Sequence, residues 1–195
     1  MAGQAHCCPD ANVVWMACGR ILNRPALVLI LGMTMTMQDL PSIQITVNGR
    51  MHELKLNPKT PVLMALRQDL DLKGARAGCV EGYCGACTVL LDGRPVQTCT
   101  LAIEAAAGGA ITTIEAAATD EILGAVRQAF LDEQAAQCGY CTNGIIMTIA
   151  GMLGQDPPAN RREIVEVLDE RHLCRCGAHP RILRAIDQLT RGCAR

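Results

Sequence analysis

Eight of the twelve cysteines fall into two groups of four, and this restricts the fold more than any other feature of the chain. Cys79, Cys84, Cys87 and Cys99 form the first group; Cys138, Cys141, Cys174 and Cys176 form the second. A secreted disulfide scaffold spreads its cysteines along a shorter chain, whereas bunched quartets read as two four-thiolate metal sites in a reduced compartment. A fold that serves both must bring separated loops together around each quartet. Cys7, Cys8, Cys18 and Cys193 stand outside both groups and read as unpaired thiols without a role.

The spacing Cys79-x4-Cys84-x2-Cys87, with Cys99 further on, is the plant-type arrangement for a [2Fe-2S] cluster. Thr88 to Thr98 reads as a hairpin turned at Asp92-Gly93, so residue 87 faces 98 and Cys99 returns beside Cys87. Cys79 and Cys84 then belong around the other iron. Gly78, Gly82 and Gly85 free the loop to aim its N–H groups at the sulfurs. In the second group each cysteine pair precedes a helix, whose N-terminus favours thiolate charge. Arg175 lies between two of those thiolates. The rival reading is a closed zinc site. It fits the first group poorly, because three cysteines crowd one loop, and fits the paired second group better.

The rest of the pattern predicts an α+β chain. Ser42 to Asn48 alternates apolar and polar, Asn48-Gly49 supplies a type I′ turn, and Met51 to Leu56 alternates back. Thr60 is expected to cap a short helix with Pro61 at its first position, and 110–114 reads as one more strand. Helical spacing follows over 120–134, 144–153, 161–170 and 181–189, with Asn160 as a cap for the third. Short links between four helices imply a bundle. The expected boundaries are an N-terminal extension over 1–37, a first metal-binding domain over 38–115 and a second, helical one over 116–192.

Composition removes several functions. Lys and Arg number 18 against 19 Asp and Glu, which leaves no field to draw nucleic acid or an acidic membrane surface. The aromatic residues are only Trp15, Tyr83, Phe130 and Tyr140, too few for a base-stacking platform. No dinucleotide or phosphate loop, zinc-protease motif or nucleophile elbow occurs, so the chain carries no catalytic motif of its own. His6, His52, His172 and His179 read as surface or capping residues. The apolar run 26–37 is too short to span a bilayer and has no adjacent arginine pair ahead of it, which points to a cytoplasmic chain.

The segments Gly78 to Thr88, Gln137 to Gly144 and Leu173 to Gly177 resemble the iron-sulfur subunits of the xanthine oxidase family of molybdenum hydroxylases. The likeness covers about residues 42 to 190. It implies a ferredoxin-like β-grasp domain followed by a four-helix-bundle [2Fe-2S] domain. It also implies a large partner subunit that holds molybdopterin and hydroxylates the substrate, while electrons leave through this chain. By resemblance the cluster on Cys138, Cys141, Cys174 and Cys176 is the one near the molybdopterin, which Gln137 and Cys176 approach. The cluster on Cys79, Cys84, Cys87 and Cys99 is then the outer relay. Asn143 departs from a proline common at that place, where asparagine can serve through capping. With His179 it resembles the subgroup of nicotinate dehydrogenase and bacterial aldehyde dehydrogenases. That subgroup implies an aldehyde or N-heteroaromatic substrate and a partner with c-type haem, which would bring the chain to a membrane or the periplasm. A free-standing ferredoxin-like or zinc-binding protein is the alternative.

Overall fold

Both residues of the Asn48-Gly49 turn take positive φ, 49° and 76°, so the chain reverses in two residues as the sequence predicts. The computed structural model describes residues 40–191; the expected extension over 1–37 and the cysteines at 7, 8, 18 and 193 lie outside them. Strand β1 (Ser42–Val47) pairs antiparallel with β2 (Arg50–Lys55), from Ser42 opposite Lys55 to Val47 opposite Arg50. Its alternation buries Ile43, Ile45 and Val47 on one face. Asp92-Gly93 turns the second hairpin in the same way, joining β3 (Thr88–Leu91) to β4 (Arg94–Gln97).

Strand β5 (Ala110–Thr112) lies between the hairpins, parallel to β1 and antiparallel to β3. Among the described residues these strands form one mixed sheet in the order β2-β1-β5-β3-β4. Helix α1 (Val62–Met64) runs on as a π turn over Ala65–Asp69 and seals the sheet with Val62, Leu63 and Leu66. Thr60 is not its cap. Pro61 holds that position with extended backbone and no side-chain cap bond, leaving the Thr60 side chain one residue too early; its carbonyl instead accepts from the Ile103 N–H at 2.8 Å. The last strand stops at Thr112, since Thr113 enters a 3-10 turn over Ile114–Ala118.

Four helices follow: α2 (Glu121–Asp132), α3 (Thr142–Leu153), α4 (Arg161–Arg171) and α5 (His179–Thr190). No charged residue interrupts α3, and every residue from Gly144 to Met152 is buried, so it forms the centre around which the others pack. Gly151 keeps α3 close to the second hairpin, because an added Cβ would come within 2.7 Å of Leu90 Cδ2 and 2.9 Å of Pro95 Cδ. Strand β3 is therefore covered on both faces: Val89 joins the core under α1, and Leu90 joins the core of the helices. No helix among the described residues is long and apolar enough to cross a membrane.

Asn160 does cap α4. Its side chain accepts from the Arg162 and Glu163 N–H groups, and Glu163 accepts in return from the Asn160 N–H at 2.8 Å. Asn160→Ala is expected to lower stability by about 1 kcal/mol while leaving the iron content unchanged, as read by thermal melting and metal analysis.

Candidate metal centres

The first cysteine loop wraps its sulfurs in backbone. An added Cβ at Gly78 would overlap Cys84 Sγ, so only glycine lets the chain pass that closely. Cys79 Sγ accepts from the N–H groups of Glu81, Tyr83 and Cys84 at 3.4, 3.3 and 3.3 Å, and Cys84 Sγ accepts from the Cys79 N–H at 3.3 Å. These bonds, the Glu81 N–H first, pull the Cys79 thiol down to about 7. They require positive φ at Gly82 and Gly85, and also at Val80 (62°), where a β-branched residue is strained. The side chains of Glu81 and Tyr83 are exposed; their contribution is the main chain.

Cys87 and Cys99 meet at the open end of the second hairpin, as its register requires. Thr98 holds the corner, its N–H and hydroxyl both donating to the Cys87 carbonyl at 3.4 and 2.7 Å. Burial pushes the Cys87 thiol up to about 11, and the Cys99 thiol beside it adds to the effect. Cys87 is thus held as the neutral thiol, whereas the rim sulfur Cys79 is poised to ionise.

The second group divides differently, with one raised and one lowered thiol in each adjoining pair. Cys141 is the N-cap of α3, and burial followed by the neighbouring Cys174 thiol pushes it up to about 12. Cys174 itself is lowered: against the cost of burial, the Ala178 N–H and the Cys141 thiol favour its thiolate. At the rim Cys138 is lowered, first by the Tyr140 N–H and then by the Cys176 thiol, while Cys176 is raised by Cys138. Gln137 is exposed on that rim, and Arg175 points into solvent.

Thiols therefore adjoin two by two: Cys79 with Cys84, Cys87 with Cys99, Cys138 with Cys176, Cys141 with Cys174. A two-iron cluster asks for this donor set, two thiolates on each iron, where a zinc site asks for four around a single point. The residues fit the cluster. On binding a cluster, Cys87 and Cys141 would have to give up their protons, since ligating thiols must ionise.

Several residues join the two loops, and local sequence pattern signals none of them. The Leu173 N–H donates to the Cys84 carbonyl at 3.2 Å. Tyr140 donates its hydroxyl to the Ala77 carbonyl at 2.6 Å, and Asn143 donates to the Gly74 carbonyl at 3.1 Å. Asn143 is thus a tie between halves and not a cap. Gly144 lies against Gly85 backbone to backbone: an added Cβ would overlap the Gly85 carbonyl oxygen. His172 closes α4 as its C-cap, one of the two roles expected of it, but its ring is drawn inward and not onto the surface. Its Nε2 meets the Thr148 hydroxyl at 2.7 Å and its buried Nδ1 lacks a partner, while burial and then the Arg171 charge push the imidazole down to about 4.

Two domain models match the chain: a 2Fe-2S iron-sulfur cluster binding domain over residues 45–111 and a [2Fe-2S] binding domain over 113–187. Fold and paired thiols together define a two-cluster iron-sulfur electron carrier. The chain is 46% identical to one of the subunits of nicotinate dehydrogenase from Pseudomonas putida, over 74% of this chain and 92% of that one. It is 33% identical to the iron-sulfur-binding subunit of aldehyde oxidoreductase from Escherichia coli O157:H7, over 76% and 71%. Among solved structures, quinoline 2-oxidoreductase from Pseudomonas putida superposes with a TM-score of 0.68 at 36% identity, covering 75% of this chain and 90% of that one. The chain belongs to the iron-sulfur small subunits of the molybdenum hydroxylases, with a ferredoxin-like domain followed by a helical [2Fe-2S] domain. It is an electron-transfer subunit of an oxidoreductase, carrying two [2Fe-2S] clusters beside a large partner subunit that holds molybdopterin.

Proposed function

We propose that Cys79, Cys84, Cys87 and Cys99 hold one cluster and Cys138, Cys141, Cys174 and Cys176 the other, each within its own domain, 38–115 and 116–192. The pairing of thiols two by two within each quartet carries this reading. Electrons from the molybdopterin enter at the second cluster, whose rim residues Gln137 and Cys176 face the pterin, and leave from the first. The bound clusters supply one-electron transfer. The chain's own work is to hold the thiolates, to donate N–H groups to their sulfurs and to brace the two loops against each other. A c-type cytochrome is the proposed acceptor. An N-heteroaromatic acid such as nicotinate is the proposed substrate of the partner, because a component of nicotinate dehydrogenase is similar over most of both chains; an aldehyde is the second candidate. The chain itself is proposed to work in the cytoplasm, or at a membrane or in the periplasm through those partners.

Metal and sulfide analysis of the purified chain is expected to give two irons and two acid-labile sulfides for each domain. Stoichiometric zinc without sulfide would overturn the ligand assignment, and half the iron would mean that one quartet is misassigned. Alone, the chain is expected to oxidise neither nicotinate nor an aldehyde; turnover without the partner would contradict the reading.

A further inference from the structure

We infer that Arg76 sets the reduction potential of the second cluster from the opposite half of the molecule. This rests on the ligand assignment proposed above. The backbone of Arg76 belongs to the first half, where its N–H donates to the Ala86 carbonyl at 3.0 Å, one residue before Cys87. Its side chain crosses over. Nη1 donates to the Gly139 carbonyl at 3.1 Å, and the guanidinium carbon stands 5.4 Å from the centroid of the Tyr140 ring. Tyr140 is pinned in turn by its hydroxyl bond to the Ala77 carbonyl. Gly139 and Tyr140 fill the interval between Cys138 and Cys141, so the cation is anchored inside the second cysteine loop.

Among the described residues Arg76 forms no ion pair with a carboxylate, unlike Arg161 with Asp187, Arg162 with Glu166 and Arg184 with Glu133. Its charge is therefore not cancelled locally. Four thiolates leave the oxidised cluster negative, and reduction adds one further electron without bond making or breaking. A fixed cation stabilises the more negative state by more, so it makes the cluster easier to reduce. Arg175 lies nearer in sequence, but it points into solvent, where water and salt screen it. The anchored guanidinium is the effective charge.

The test is a potentiometric titration of the assembled enzyme, with a dithionite-reduced mediator mixture as electron donor and EPR to read each cluster. Arg76→Gln is expected to lower the reduced-to-oxidised ratio of the second cluster about three- to tenfold at a fixed potential, with the first cluster unmoved. Arg76→Met serves if Gln fails to retain iron, since it keeps the stem beside Tyr140. Arg76→Lys keeps the charge and is expected to recover most of the ratio. An unshifted second cluster in the charge-removing variants would overturn the inference. A Lys variant shifted as far as Gln would do the same, since it would mean that packing and not charge sets the potential. Cys138→Ser, run alongside, identifies the signal: if both signals survive it intact, the ligand assignment fails, and that result stands apart from any outcome at Arg76.

Discussion

Gly144→Ala is expected to separate the two halves of the chain and to cost the first site its iron, although it adds one methyl group to a helix. The new Cβ would overlap the carbonyl oxygen of Gly85 and come within 3.0 Å of the Gly85 carbonyl carbon and 3.2 Å of Ala86 Cα. All three are main-chain atoms of the first cysteine loop, so no side chain can swing aside. Gly85 cannot retreat, because a Cβ there would already meet the Arg171 carbonyl at 2.5 Å, and α4 closes that side. Overpacking against backbone costs about 3 kcal/mol, which for a domain of this size lowers the midpoint by roughly 6–12 °C. Gly93→Ala provides the control. It meets nothing within 4 Å and bears only the strain of its positive φ, about 1 kcal/mol. Thermal melting and the iron-to-protein ratio read both variants. If Gly144→Ala kept both its midpoint and its iron, the contact with Gly85 would not be a structural requirement.

Cys99→Ser and Cys176→Ser are expected to divide the relay at different points. Cys99 is buried beside Cys87, so its loss removes one thiolate from the first cluster and abolishes that cluster's EPR signal. In the assembled enzyme the substrate should still reduce the second cluster, and electrons should stop there, with turnover on an external acceptor falling to background. Cys176 sits on the rim beside Cys138 and near Gln137. On the proposed assignment its loss should disturb the second cluster and the approach to the pterin together, so that electrons leave the molybdenum centre slowly from the start. Tunnelling weakens steeply with distance, which forces the relay to be used in order. Freeze-quench EPR separates the cases. If Cys99→Ser blocked reduction of the second cluster while Cys176→Ser spared it, the proposed order would be reversed.

Both hairpins were legible because Asn48-Gly49 and Asp92-Gly93 announce turns that reverse a strand in two residues. The register of the second hairpin then put Cys99 beside Cys87 without further information. The helices were legible from their period, and the cap of α4 from Asn160. Pairing of β1 with β5 was not, because two residues more than sixty apart carry no mutual pattern until the chain is folded. The seam between halves was hidden for a related reason. Asn143 looked like a cap, and the His172 side chain offered no sign of burial, because each bonds to a distant partner, Gly74 in one case and Thr148 in the other. Arg76 offered no signal, for its sequence neighbours belong to one site and its guanidinium to the other.

The bond from the Leu173 N–H to the Cys84 carbonyl bears on how such a chain matures. Leu173 precedes Cys174 and Cys84 is itself a cysteine of the first quartet, so ordering one loop favours the final path of the other. Cluster insertion is then a shared folding event, in which the first cluster loaded shapes the receptacle for the second. Half-loaded chains should therefore take up their missing cluster faster than empty chains take up their first, which native mass spectrometry during reconstitution would read. A chain built this way biases its own maturation toward complete loading before it meets its partner.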